Sequence, residues 1–169
     1  MAQGRHRVLF TLVVAGTAIG TVAVASRTPR LVWNATASAP VGLYVLTSAG
    51  HVSRGDLVLA LPPPNVRSLA VTRGYLPDGV PLVKRVAARS GEMVCSSGRS
   101  ITINRHPVAE RLEADSAGRL LPAWSGCRLL RADEVFLLMK DVPNSFDGRY
   151  FGPINRSAVL GILRPIWTR

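Results

Sequence analysis

The chain alternates between one long apolar run and many short ones. Val8 to Ser26 (VLFTLVVAGTAIGTVAVAS) carries no charge and is close to the ~20 residues that span a bilayer. Beyond it, apolar stretches are brief and are closed by Gly, Pro or polar clusters. Gly42 to Thr47 and Asp56 to Leu61 read as strands, and Pro62-Pro63-Pro64 stops the second. Asn65 to Arg73 reads as a short helix, with Asn65 as its N-cap and Gly74 as its stop. Pro81 to Ala88 is a further strand. Met93–Cys95 and Ser100–Ile103 pair through a turn at Ser96 to Arg99. Asn104 to Pro107 reads as a turn, and Val108 to Leu121 has no apolar period. Glu134 to Lys140 has the composition of a buried strand, and Val159 to Ile166 is the last. The pattern predicts a mainly β fold.

Composition narrows this. At 169 residues and 47% apolar, the chain suits one packed domain, and 12 Pro with 15 Gly argue against a helical bundle. The organisation expected is a basic cytoplasmic N-terminus (1–7), a transmembrane helix as anchor (8–26) and an exported domain (27–169). A cleavable signal peptide ending at Ala23-Val24-Ala25 is the competing reading; the run is longer than the 7–15 residues of a usual signal core. Both readings export the bulk of the chain. Cys95 and Cys127 are then an even pair in an oxidising compartment, so a disulfide is expected, against the alternative of two buried thiols. His6, His51 and His106 show no metal-ligand spacing.

The net charge is +11, and every basic residue except Lys84 and Lys140 is Arg. The arginines are scattered without long runs or interleaved aromatics, which disfavours nucleic acid as partner. An anionic membrane surface is the better use of this charge. Trp33, Leu43 and Tyr44 are expected to touch lipid.

Three segments carry candidate chemistry. In Asn34 to Tyr44, Thr36 and Ser38 stand two apart; an extended backbone would point both hydroxyls one way. An ordinary Ser/Thr/Pro linker would look the same. In Pro81 to Ala88, either Lys84 or its neighbour Arg85 must share an apolar strand face. Burial of Lys84 would lower its pKa and make it a base able to activate serine; a lysine snorkelling from a strand edge is the plain alternative. In Asp141 to Pro153, Ser145, Asp147 and Arg149 lie close together in a loop, a polar network or a simple surface turn.

Together, and in this order, these segments resemble the type I signal peptidase superfamily of Ser-Lys membrane proteases, and within it the conjugative-transfer TraF peptidases. The resemblance rests on N-x-T-x-S-x-P-x-G-L-Y at 34–44, G-D-L-V at 55–58, G-Y-L-x-x-G-x-x-L-V-K-R-V at 74–86 and P-N-S-F-D-G-R-Y-F-G-P-I at 143–154. It implies Ser38 as nucleophile and Lys84 as general base. It implies an oxyanion hole from the Ser38 N–H and the Thr36 hydroxyl. Ser145 would orient the lysine amine, with Asp147 and Arg149 as a supporting ion pair. One departure is Arg89-Ser90-Gly91-Glu92, where the family has L-P-G-D. The implied fold is the all-β signal peptidase core, with the catalytic domain on the periplasmic side of the inner membrane and no cofactor or metal. The implied substrate is a precursor pilin or another signal-peptide-bearing protein, bound as an added strand beside Lys84, in a conjugation or type IV secretion system. Its acyl-enzyme would be resolved by water or by the substrate's own amine, giving a cyclic pilin. A general signal peptidase, or a non-enzymatic pilus assembly factor, are the other functions considered.

Overall fold

The computed structural model describes residues 30–169. The 1–7 and 8–26 segments lie outside the described residues. Among the described residues, no helix is long and apolar enough to cross a membrane.

Among the described residues eleven strands form two sheets. In chain order they are β1 (Leu31–Asn34), β2 (Gly42–Thr47), β3 (Leu57–Ala60), β4 (Leu82–Arg89), β5 (Met93–Ser97), β6 (Ser100–Ile103), β7 (His106–Glu110), β8 (Gly126–Leu129), β9 (Glu134–Leu137), β10 (Ile154–Asn155) and β11 (Val159–Thr168). The larger sheet runs β1-β2-β11-β3-β4-β9-β10, and the smaller runs β7-β6-β5-β8. Helix α1 (Pro64–Thr72) fills the β3–β4 connection, and α2 (Gly148–Phe151) precedes β10. The fold is mainly β, as the apolar pattern predicts.

Strands β3 and β9 are buried at every position, so their apolar runs are continuous rather than alternating. One side of the larger sheet packs Val58, Ala60, Val86, Val135 and Leu137 together. The other joins Leu57, Leu59 and Val83 to Ala39, Tyr44 and Met139, so part of the core lies directly under the Ser38 turn.

The differences from the sequence expectation have physical causes. Asn65 is not the N-cap of α1: Pro63 takes that place, with Pro64 at the first helical position, where its missing N–H costs nothing. The turn after β6 is confined to Asn104 and Arg105, both at positive φ; His106 already begins β7. Pro107 is tolerated there because β7 is an edge strand. All four residues of β8 are exposed, so it has no apolar pattern to read. It is fixed by its ladder with β5, in which Cys95 and Cys127 face each other and form the expected disulfide. Strand β1 is unpredicted too, and it matters most, because it delivers Asn34 to the site.

Candidate active site

The site is assembled from three places in the chain. Strand β4 supplies Lys84. Its neighbours resolve the choice between the two cations: Lys84 is 3% exposed, whereas Arg85 is exposed and donates to the Gly55 carbonyl at 2.9 Å. Burial is the main cause that lowers the Lys84 pKa to about 8, Asp147 opposing the shift and Arg149 adding to it.

The link between β1 and β2 supplies Thr36 and Ser38. It is a turn, not the extended segment anticipated: the Ala39 N–H reaches back to the Thr36 carbonyl at 3.4 Å. The turn still brings the two hydroxyls together, 3.2 Å apart. The Lys84 Nζ lies 3.1 Å from Ser38 Oγ and donates to it. Nucleophile and base candidates are thus in hydrogen-bond contact across 46 residues of chain.

The third part is the loop from Met139 to Asp147. Asp147 is fully buried and caps α2 by accepting from the Arg149 N–H; it also accepts from the Met139 N–H at 3.0 Å. Arg149, 1% exposed, donates to both Asp147 oxygens at 2.9 Å and to the carbonyls of Met139, Val142 and Pro143. The pair therefore holds the loop's backbone from within. A buried charge pair so fully hydrogen-bonded is one whose loss of either partner is costly. Phe146, stacked on Tyr150 at 5.5 Å and set against Tyr75, anchors the chain next to Ser145.

Ser145 lies on this loop, its N–H donating to the Val142 carbonyl, but it is not part of the hydrogen-bonded chain of Lys84, Ser38 and Thr36. Its Oγ is buried and has no hydrogen-bond partner among the described residues, so the contact with the lysine amine that the motif implies is not made in this structure. Cys95 and Cys127 belong to the smaller sheet and contribute nothing to the site. Among the described residues no group of His, Cys, Asp and Glu could hold a metal ion.

A cleft of about 410 Å³ opens beside Ser38. It is lined by residues 37–41 of the Ser38 turn, by Met139, Asp141 and Val142, and by Arg85 and Arg169. The β4 edge facing this side is paired with β9 only from Val86 onward, apart from a Leu138 N–H to the Arg85 carbonyl. From Leu82 to Lys84 no strand among the described residues pairs with that edge.

Two residues here were not singled out for the site by the sequence reading. Tyr44 does not touch lipid: it is 1% exposed, and its hydroxyl donates to the Pro40 carbonyl at 2.6 Å. Asn34, also buried, contacts the turn through both ends of its amide. The only signal for either was its place in the 34–44 motif.

The family described as "Signal peptidase, peptidase S26" matches residues 4–168. The chain belongs to this peptidase family. Its relatives include a plasmid transfer protein TraF of Escherichia coli, 37% identical over 178 residues and covering 99% of both chains. A conjugal transfer protein TraF of Agrobacterium fabrum is 38% identical over 145 residues, 80% of this chain and 81% of the relative. Among solved structures, a signal peptidase I from Enterococcus faecalis aligns with a TM-score of 0.40 and 22% identity, over 68% of this chain and 97% of that one.

Proposed function

We propose that this S26 peptidase is a membrane-anchored Ser-Lys endopeptidase that processes a pilin or similar precursor during conjugative transfer. The observation that carries the reading is the contact between Lys84 and Ser38: a lysine 3% exposed, its pKa lowered to about 8, 3.1 Å from a serine that borders an open cleft. A serine hydroxyl needs a base, and a lysine serves only when it is neutral. Burial favours that form here.

The chemistry follows from this placement. Neutral Lys84 takes the proton of Ser38 as its Oγ attacks the substrate carbonyl. The Ser38 N–H and the Thr36 hydroxyl receive the oxyanion; one such donor is typically worth about 10²–10³ in rate. Lys84 then returns the proton to the leaving amine. Water, or the precursor's own amine, resolves the acyl-Ser38, and Lys84 accepts the incoming nucleophile's proton in turn. Ser145 is the residue that the family motif assigns to orienting the Lys84 ammonium, a contact this structure does not make. The substrate lies extended along the unpaired edge of β4 by strand addition, with small side chains in the Ala- and Pro-lined cleft.

Two further observations favour a dedicated periplasmic role. Two relatives that match over nearly the full length are named plasmid transfer and conjugal transfer proteins. An exposed aromatic edge, with Trp33 and Trp167 stacked at 6.0 Å, suits the inner-membrane surface.

The test is cleavage of a precursor encoded with the transfer genes, co-expressed with wild type, Ser38→Ala or Lys84→Ala and read by intact mass. Processing by wild type alone is the expected result, and a cyclic product would be about 18 Da lighter than the linear one, one water withheld. Equal processing by all three would end the protease reading and leave an assembly factor.

A further inference from the structure

The hydroxyl pair at the site extends one residue further than the dyad and its oxyanion donors. Asn34 Nδ2 donates to the carbonyls of Thr36 at 3.0 Å, Ala39 at 3.1 Å and Pro40 at 3.0 Å. Its Oδ1 accepts from the Thr36 N–H at 3.2 Å and from the Thr36 hydroxyl at 2.8 Å. The three carbonyls leave no ambiguity in the amide's orientation: reversed, it would set an oxygen against three acceptors. All five contacts of this buried side chain go to the turn that holds Ser38.

The direction of the protons follows. Thr36 has one hydroxyl proton, and Oδ1 can only accept, so Thr36 gives that proton to Asn34. In the 3.2 Å contact between the hydroxyls, Ser38 must then be the donor and Thr36 the acceptor. With Lys84 protonated, the chain runs in one direction: Lys84 to Ser38, Ser38 to Thr36, Thr36 to Asn34. Thr36 serves an oxyanion only by turning its proton away from Asn34. That is a rotation about one C–O bond, at the cost of one hydrogen bond worth about 1 kcal/mol. Its oxygen need not move, because the Asn34 amide and the Tyr44 hydroxyl both hold the turn's far end at the Pro40 carbonyl.

We propose that Asn34 is a positioning residue of this site, fixing the Ser38 turn through its amide nitrogen and setting the Thr36 hydroxyl through its amide oxygen. It touches no substrate and acts through Thr36 and Ser38. The proposal rests on the Ser-Lys reading and names what holds the turn that carries Thr36 and Ser38.

Full-length Asn34→Leu, Thr36→Val and the double variant, with Ser38→Ala as reference, test it on a peptide spanning the mapped junction of the processed precursor. Asn34→Leu should lose about 10–100-fold in kcat, less than the loss of an oxyanion donor itself because Asn34 acts through the turn, with KM within about threefold. Adding Thr36→Val to Asn34→Leu should cost less than about threefold more, because the two act as one unit. A residue that only supports the fold would give losses that multiply. Multiplying losses, or Asn34→Leu at wild-type kcat, overturn the proposal. Asn34→Asp keeps the acceptor for Thr36 and removes the donors to the carbonyls. It carries the test if Asn34→Leu does not accumulate: a kcat loss of about tenfold supports the clamp, and wild-type kcat overturns it. Ser38→Ala as active as wild type would instead remove the protease reading, and this one with it.

Discussion

At the scale of single residues, the proposed chemistry depends on how often Lys84 is neutral. With its pKa at about 8, roughly a tenth of the molecules hold a free amine at pH 7. The neutral amine is the active form, so activity is lost as pH falls through about 8. The acid limb of kcat/KM should drop about tenfold per pH unit below that value. A limb centred near the ordinary lysine range would mean that burial does not tune this amine. Asp147 is the charge that holds the Lys84 pKa up, and Arg149 pushes it down. Asp147→Asn should therefore move the acid limb to lower pH. The same change leaves Arg149 buried without its partner and should cost about 3–5 kcal/mol of stability, read by urea denaturation. A stable variant with an unshifted limb would contradict both parts of that argument.

Which residues the sequence disclosed follows from the kind of partner each one has. Lys84 was legible because a cation inside an apolar strand is an anomaly by itself. Thr36 and Ser38 are legible as a pair, although a turn rather than an extended segment joins them. Asn34 and Tyr44 were not, because they bond to backbone carbonyls. Any sequence offers carbonyls everywhere, so nothing in the pattern marks which ones a side chain will find. Ser145 shows the opposite limit: a motif can nominate a residue whose contact is not formed in the folded chain.

At the scale of elements, strands buried on a face are written in apolar residues, and the two edge strands of the smaller sheet are not. Strands β2, β4 and β6 follow their patterns to within a residue or two, while β7 and β8 have none to follow. Helix α2, four residues long, is too short for any period and exists because Asp147 caps it. At Gly42 and Gly148 glycine is required by close approach of the backbone. A Cβ on Gly42 would overlap the Trp167 carbonyl, where β2 and β11 close together, and one on Gly148 would meet the Leu137 carbonyl and the Phe136 ring. The smaller sheet depends on a covalent link. The Cys95–Cys127 bond spans 32 residues and should be worth about 3–4 kcal/mol by loop closure. The paired Cys95→Ser and Cys127→Ser variant should melt several degrees lower, with kcat unchanged because no residue of β5 to β8 enters the site. A matching fall in kcat would show that the smaller sheet supports the cleft.

At the scale of the whole molecule, the site and the exposed aromatic edge share one end of the larger sheet. Trp33 of β1 and Trp167 of β11 flank Leu43 of β2, and all three strands meet at the Ser38 turn. Leu31 and Ile166 extend the exposed apolar edge, at 58% and 56% exposed. Arg30, Arg164 and Arg169 lie along it in sequence, within a chain of net charge +11. Indole rings favour the headgroup region, and arginines favour anionic lipid beside it. A single anchoring helix would leave the domain free to tumble above the bilayer. A docked aromatic edge would instead hold the cleft at the depth where a membrane-inserted precursor leaves the lipid. Docking should therefore matter for that precursor and not for a soluble peptide. Full-length Trp33→Asp with Trp167→Asp should process the membrane-inserted precursor about tenfold more slowly, since burial of one large apolar side chain is worth about 1.5–3 kcal/mol. Cleavage of the soluble junction peptide should stay within about twofold of wild type. Equal losses on both substrates would assign the indoles to the fold of the β1–β2–β11 edge. No loss on either would remove the lipid contact and leave orientation to the proposed anchor alone.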